Sequence, residues 1–208
     1  MGKTARGKVM TNPNSFEPCL VIASGNLGKV KEFRKLLFDF PIRVLAQPEG
    51  LDFEEIGETF LENARLKAIS AANAIGQWCI ADDSGLSVDA LLGAPGVYSA
   101  RYASSDDARI RRLLSDLEPF DNRSACFSSA ICVASPQGKI MLEVEGKCEG
   151  LITKEPRGNN GFGYDPIFEV CDTGLTFAEM GTDEKQALSH RGKAFKLLKP
   201  RLKKIFEF

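Results

Sequence analysis

Histidine is almost missing from this chain: His190 is the only one among 208 residues, and the six cysteines include no C-x-x-C pair. A zinc site built on Cys and His spacing is therefore excluded. Long apolar runs are missing as well. The uncharged stretches Cys19–Ala23 and Trp78–Ala81 fall far short of the roughly 18 residues a membrane-spanning helix needs. An excess of either charge is also lacking, since 27 Lys and Arg oppose 28 Asp and Glu for a net charge of -1. A protein that lives on nucleic-acid phosphates carries a clustered basic excess, so neither nucleic acid nor membrane is an expected partner. Cysteine at this density reads as reduced, mostly buried thiols, as in a cytoplasmic chain.

What is present is an ordinary globular composition, 43% hydrophobic and 26% charged, too apolar for disorder. The length suits one domain, or one domain drawn out into two lobes. Residues 1–17 carry Lys3, Arg6 and Lys8 but no apolar segment of a secretory signal; they read as a disordered leader, or as sequence upstream of a second start at Met10, ahead of one domain over 18–208.

Cys19–Ala23 reads as a buried strand, Ser24-Gly25-Asn26 as a turn, and Leu27–Phe38 as a helix with Val30, Phe33, Leu37 and Phe38 on one face. A short strand is expected at Arg43–Ala46. Thr59 and Glu62 form a capping box for a helix whose inner face is Phe60, Ala64, Ala68, Ala71 and Ile75. Trp78–Ala81 returns as a strand running into Asp82-Asp83-Ser84-Gly85, with Leu86–Leu92 expected as a short helix or irregular turn. Ala108–Leu117 has helical spacing. Ala125–Ala134, Lys139–Val144 and Lys147–Ile152 read as three strands of an antiparallel meander, joined at Pro136-Gln137-Gly138 and at Glu145-Gly146. Thr182–Phe208 is helical, with Pro200 expected to kink or end it. Early alternation of strand and helix followed by clustered strands points to an α/β fold with a mixed sheet.

Four segments could carry chemistry. Ser24-Gly25-Asn26-Leu27-Gly28-Lys29 sits between a buried strand and a helix. Backbone amides, the helix N-terminus and a lysine together suit a phosphate, while a tight turn with a solvated lysine is the plainer alternative. Asp82-Asp83 directly after a buried run must be compensated by a cation or by donors. Neighbours in extended chain point to opposite faces, so one of the pair, Asp83, is expected to face a site, and an Asx turn remains open for Asp82. Gly158-Asn159-Asn160-Gly161-Phe162-Gly163-Tyr164-Asp165-Pro166 sets two aromatics in glycine-rich backbone, which suits a wall against a planar ligand or, alternatively, a hairpin with an anchoring ring. Ser189-His190-Arg191-Gly192 can start a new helical turn and present two donors, although a lone histidine is often structural.

Together with Glu58-Thr59-Phe60, Glu62-Asn63-Ala64, Gly93-Ala94-Pro95-Gly96, Ser99-Ala100-Arg101-Tyr102 and Glu184-Lys185, these segments run in the order found in the inosine/xanthosine triphosphate pyrophosphatase family, which the chain resembles from about Leu20 to Lys199. The resemblance implies an elongated, two-lobed α/β molecule with a central mixed sheet flanked by helices, an active-site cleft between the lobes, and a homodimer. It implies hydrolysis of deaminated purine nucleoside triphosphates to monophosphate and pyrophosphate, with Mg2+ as cofactor. Lys29 and its loop, Asn26 included, would hold the triphosphate with Lys67 and Lys185. Glu55 and Asp83 would approach the metal, Asp83 would orient or deprotonate the attacking water, and Ser84 would contact substrate. Phe162 would stack on the base, with Gly163, Tyr164 and Asp165 completing that wall, and Ser189, His190 and Arg191 would read the base edge.

Three rivals share parts of this pattern: a phosphohydrolase releasing only the terminal phosphate, a nucleotide-binding sensor without chemistry, and a nucleic-acid protein using the basic tail Lys193–Lys204. The paired acids count against the sensor, and the charge balance counts against the last.

Overall fold

The structure is a computed structural model that describes residues 18–207; the expected leader at 1–17 and Phe208 lie outside the described residues. Among the described residues six strands form one sheet: β1 (Cys19–Ile22), β2 (Arg43–Ala46), β3 (Trp78–Val88), β4 (Ser124–Ala134), β5 (Ile140–Ile152) and β6 (Phe168–Val170). Their order is β2-β1-β3-β4-β5-β6, with β1 parallel to β2 and β3 and the remaining pairs antiparallel. The expected mixed α/β sheet is what forms. The helices are α1 (Leu27–Leu36), α2 (Phe60–Ile75), α3 (Asp106–Asp116), α4 (Thr182–Leu188) and α5 (His190–Ile205).

Period-two alternation sorts the sheet residues between two helical layers. Leu20, Ile22, Ile80, Ile131 and Val133 pack with Val30 and Phe33 of α1 and Phe195 and Leu198 of α5. Cys19, Val21, Cys79, Ala81, Ala130 and Cys132 face the other way, onto Ala64, Ala68, Ala71 and Ala72 of α2. A third cluster covers the far ends of β3 to β6, where Leu86, Val88, Phe127, Ile152 and Phe168 meet Ile110 and Leu113 of α3. α2 is capped as its sequence requires: Thr59 accepts from Glu62 N, and the Glu62 carboxylate accepts from Thr59 N.

Several local expectations are corrected by long-range packing. Leu86–Leu92 is not a helix or loose turn; β3 continues to Val88, paired with β4 out to Ala125, and only Asp89–Leu91 forms a 3-10 turn. Leu86 and Val88 keep the two-residue alternation that buries them. Glu145-Gly146 is no turn either, because β5 is one strand of 13 residues. Gly146 is there for close approach: a Cβ would lie 2.2 Å from His190 O and 2.4 Å from Ala194 N, so α5 rests directly on the strand. α1 stops at Leu36 and leaves Phe38 exposed, with Phe40 and Ile42 filling the core instead. The C-terminal helical stretch is two helices, and α5 passes through Pro200 to Ile205 rather than ending there.

Candidate active site

The alternation that builds the core also separates the two aspartates. Asp82 shares parity with Ile80 and therefore faces α1 and α5; Asp83 shares parity with Ala81 and faces α2. Asp82 is no turn residue. Lys29 Nζ lies 2.8 Å and Arg191 NH2 3.1 Å from its Oδ2, Ser84 Oγ donates to the same oxygen at 3.1 Å, and Ser129 of β4 donates to Oδ1. Burial alone would raise the Asp82 carboxyl, but Arg191 and Lys29 outweigh it and hold the group well below the usual carboxylate range.

On the opposite face, Asp83 meets two residues one turn apart on α2. Lys67 Nζ donates to Asp83 Oδ1 at 3.1 Å and to Glu55 Oε1 at 2.6 Å. Asn63 Nδ2 donates to Asp83 Oδ2 at 3.1 Å. Glu55, in the irregular segment between β2 and α2, is also bonded by Arg101, whose NH1 lies 3.2 Å from Oε2. Burial and the neighbouring Glu55 and Asp82 leave the Asp83 carboxyl raised despite Lys67 and Lys29, whereas Lys67 overcomes burial to keep Glu55 lowered.

The phosphate-type loop follows β1, at the point where the strand order reverses between β2 and β3, the usual ligand position in open α/β sheets. Asn26 Oδ1 caps α1 by accepting from Lys29 N at 3.1 Å, and Ser24 Oγ accepts from Asn26 N at 3.2 Å. A cavity of about 430 Å³ opens here, within the usual size of ligand sites, lined by Ser24, Gly25, Asn26, Lys29, Glu55, Lys67, Asp83 and Ser84, and on its far side by Phe162, Gly163, Tyr164, Asp165, Lys185, His190 and Arg191. Leu27 is exposed. Gly28 and Ser189 line instead a second cavity of about 470 Å³, which shares Phe162, Lys185 and Arg191 with the first.

Phe162 lines both cavities and is held by close contacts with α1 and α4. A Cβ on Gly28 would lie 2.7 Å from its ring, and Lys185 Nζ sits 4.8 Å from the ring centroid. Asp165 accepts from Phe162 N at 2.8 Å and from Lys185 Nζ at 2.6 Å, which ties the loop to α4. Burial outweighs Lys185 and leaves the Asp165 carboxyl raised. Tyr164 is 4% exposed and donates its hydroxyl to Ser99 O at 3.0 Å, so its ring anchors the loop more than it faces open space. Ser189 caps α5 by accepting from Gly192 N.

His190 lies flat on Phe127, ring centroids 4.7 Å apart and 9° from parallel. Burial, reinforced by Arg191, pushes its pKa well below the ordinary value, so the ring is neutral. Arg191 is clamped between Asp82, Ser84 and Glu32. Both His190 Nδ1 and Arg191 Nε are buried without a protein partner, and buried polar atoms of this kind call for a ligand or solvent partner.

Sequence reasoning assigned no role to Asn63, Glu32, Arg101, Ser129, Asp106 or Phe127. Glu32 follows Lys29 by three residues on α1 and faces the same way, a signal that helical spacing offers. Ser129, and Asp106, which accepts from Gly163 N at 2.8 Å, come from remote elements that no local pattern links to the site.

The class is thus an α/β protein with a lysine-bearing helix N-terminus beside paired carboxylates, opening on a cavity walled by aromatic rings. The chain belongs to the Ham1 family, whose model matches residues 20–201. It is similar to the dITP/XTP pyrophosphatase of Prochlorococcus marinus strain MIT 9313, 60% identical over 196 residues, covering 94% of this chain and 97% of that one. The dITP/XTP pyrophosphatase of Synechocystis sp. strain PCC 6803 is 51% identical over 181 residues, 87% of this chain and 93% of that one. Among solved structures, the HAM1 protein from Coxiella burnetii superposes with a TM-score of 0.82 at 43% identity, covering 90% of this chain and 99% of that chain. The Staphylococcus aureus Ham1 protein gives 0.79 at 41% identity over the same shares.

Proposed function

We propose that this chain is a dITP/XTP pyrophosphatase: it hydrolyses deaminated purine nucleoside triphosphates between the α and β phosphorus, yielding the monophosphate and pyrophosphate. The observation that carries this reading is the Glu55–Lys67–Asp83 triad on the wall of the cavity that also holds Lys29 and Phe162. Lys29, with the amides of Ser24–Gly28, binds the triphosphate, and Lys185 and Lys67 offset the charge of its oxygens.

Mg2+ is the cofactor this site fits. A cationic ammonium already lies between Glu55 and Asp83, so the position is built for positive charge. Two hard carboxylates joined by substrate phosphates suit magnesium, which keeps several waters and needs no protein cage. When bound, the metal stabilises charge on the phosphoryl oxygens. Asp83, with its raised carboxyl pKa, orients the attacking water and accepts its proton. Ser84 contacts substrate, while Asp82 holds Lys29 and Arg191 in place from behind the strand.

Phe162 stacks on the base, and Gly163, Tyr164 and Asp165 shape that wall. His190 and Arg191, which line the same cavity, read the base edge in this proposal: hypoxanthine and xanthine offer a carbonyl oxygen at position 6, where adenine has an amino donor. A donor left unpaired in a buried site discriminates strongly. Ser189 acts through its cap on α5, which starts the helix that carries both residues. The finer reading is of residues 18–208 as one catalytic unit, elongated and two-lobed with the cleft between the lobes, working in the cytoplasm as a homodimer.

The test is hydrolysis of inosine, xanthosine, adenosine and guanosine triphosphates with magnesium and then with chelator, resolving all phosphate products. Inosine monophosphate and pyrophosphate formed only with magnesium, far faster than the adenine and guanine counterparts, is the expected result. Diphosphate and free phosphate would overturn the bond assignment.

A further inference from the structure

Asn63 is fully buried on the inner face of α2, among Ala64, Ala68, Ala71 and Ala72 and one turn before the buried Lys67. Burying a carboxamide among such residues is costly unless both of its ends are bonded, and both are. Nδ2 donates to Asp83 Oδ2 at 3.1 Å, and Oδ1 accepts from Gly57 N at 2.8 Å. Gly57 lies two residues beyond Glu55. One side chain therefore joins the strand that carries Asp83 to the segment that carries Glu55.

Lys67, four residues further along α2, makes the parallel connection through charge, reaching Asp83 Oδ1 and Glu55 Oε1. The two connections differ in what a cation does to them. An ammonium between two carboxylates is repelled by any cation that enters there, so the Lys67 bridge competes with metal. The Asn63 amide carries no net charge and sits on the other oxygen of Asp83, so it persists when a cation arrives. Glu55 lies outside any strand or helix and has no ladder to position it. The segment is drawn tightly onto α2: a Cβ on Gly57 would lie 2.7 Å from Glu62 Cβ and 2.9 Å from Asn63 Oδ1.

We propose that Asn63 is a positioning residue of the cation site, holding the plane of the Asp83 carboxylate so that Oδ1 faces the cavity and fixing the Glu55 segment at a set distance from it. This rests on the reading of Glu55 and Asp83 as the carboxylates that receive the metal. Outer groups that orient ligands typically change metal affinity or activity by about 10–100-fold when removed.

The experiment measures Mn2+ binding to the nucleotide-free protein by electron paramagnetic resonance, with thermal melting, kcat and KM for inosine triphosphate, on Asn63→Ala and Asn63→Leu. Both should melt cooperatively, bind Mn2+ about 10–100-fold more weakly and lose kcat by a similar factor, with KM moving less than about threefold. A general loosening of the cavity would instead move KM together with kcat. Mn2+ affinity and kcat within about twofold of the parent in either folded variant would overturn the proposal, and so would loss of cooperative melting in both. Glu55→Gln and Asp83→Asn are measured alongside. If those two leave Mn2+ binding unchanged, the carboxylate assignment itself falls; if they weaken it and the Asn63 variants do not, only the role of Asn63 falls.

Discussion

Arg191 and Asp82 form an ion pair at 3.1 Å in which the guanidinium side chain is 2% exposed and the carboxylate 0%. The pair is fully desolvated, and it links the start of α5 to the middle of β3. Breaking a buried pair from one side typically costs about 3–5 kcal/mol, because the remaining charge is left uncompensated. Asp82→Ala leaves both Arg191 and Lys29 without this partner, although Glu32 still holds Arg191. A loss of stability of about 3–5 kcal/mol in urea unfolding is expected. A loss below about 1 kcal/mol would show that Glu32 alone satisfies Arg191.

As the proposed acceptor of the water proton, Asp83 is expected to contribute chemistry more than shape. Asp83→Asn keeps the volume, but its amide can no longer accept a proton from water. Turnover of inosine triphosphate should fall by about 10²–10⁴-fold, while a nucleotide bound through Lys29 and Phe162 is retained in equilibrium dialysis. Near-parental turnover would remove Asp83 from the reaction.

Gly28 tests the placement of Phe162. Alanine is favoured over glycine in a helix by about 1 kcal/mol, so Gly28→Ala should melt no lower than the parent. Its Cβ, however, would lie 2.7 Å from the Phe162 ring, and the ring must shift. A misplacement on that scale can cost up to about 10²-fold, expressed in kcat/KM for inosine triphosphate. Unchanged kinetics would mean that the ring position is not critical.

His190 gives the protein a pH dependence whose sign follows from burial. Its folded pKa is depressed well below 6.5, so below that pH the unfolded chain takes up a proton that the folded chain refuses. Stability from this group is complete above the unfolded pKa and declines as pH falls, by about 1.4 kcal/mol per pH unit until the folded pKa is reached. His190→Gln, which cannot titrate, should show a shallower loss of unfolding free energy between pH 6.5 and 5. Parallel slopes for parent and variant would show that the imidazole is not held neutral.

Gly146 was expected in a turn and lies within β5, where α5 meets the strand backbone. Gly146→Ala forces backbone apart and should destabilise by about 1–3 kcal/mol, read by thermal melting. An unchanged melting temperature would mean that the helix can slide away freely.

These contrasts show where local reading ends. The capping box of α2, the start of α1 after the Ser24-Gly25-Asn26 turn and the start of α5 at Ser189 were legible because each depends on residues within four positions of one another. The opposite facing of Asp82 and Asp83 was legible too, since alternation is a property of extended chain. What each aspartate meets was not. Lys67, Asn63, Arg191 and Ser129 arrive from α2, α5 and β4, and only the pairing of sheet and helices brings them within 3.1 Å.

The sequence by itself determined the mixed α/β character, the three helix starts and the set of chemically capable residues, because composition, periodicity and caps act over short stretches of chain. The tertiary structure alone decided that β3 runs on to Val88, that β5 passes straight through Gly146, and that Asp82 is an inner ion-pair hub while Asp83 opens on the cavity. Those outcomes depend on which surface lies opposite each residue, and burial, close backbone approach and charge pairing are properties of that opposing surface.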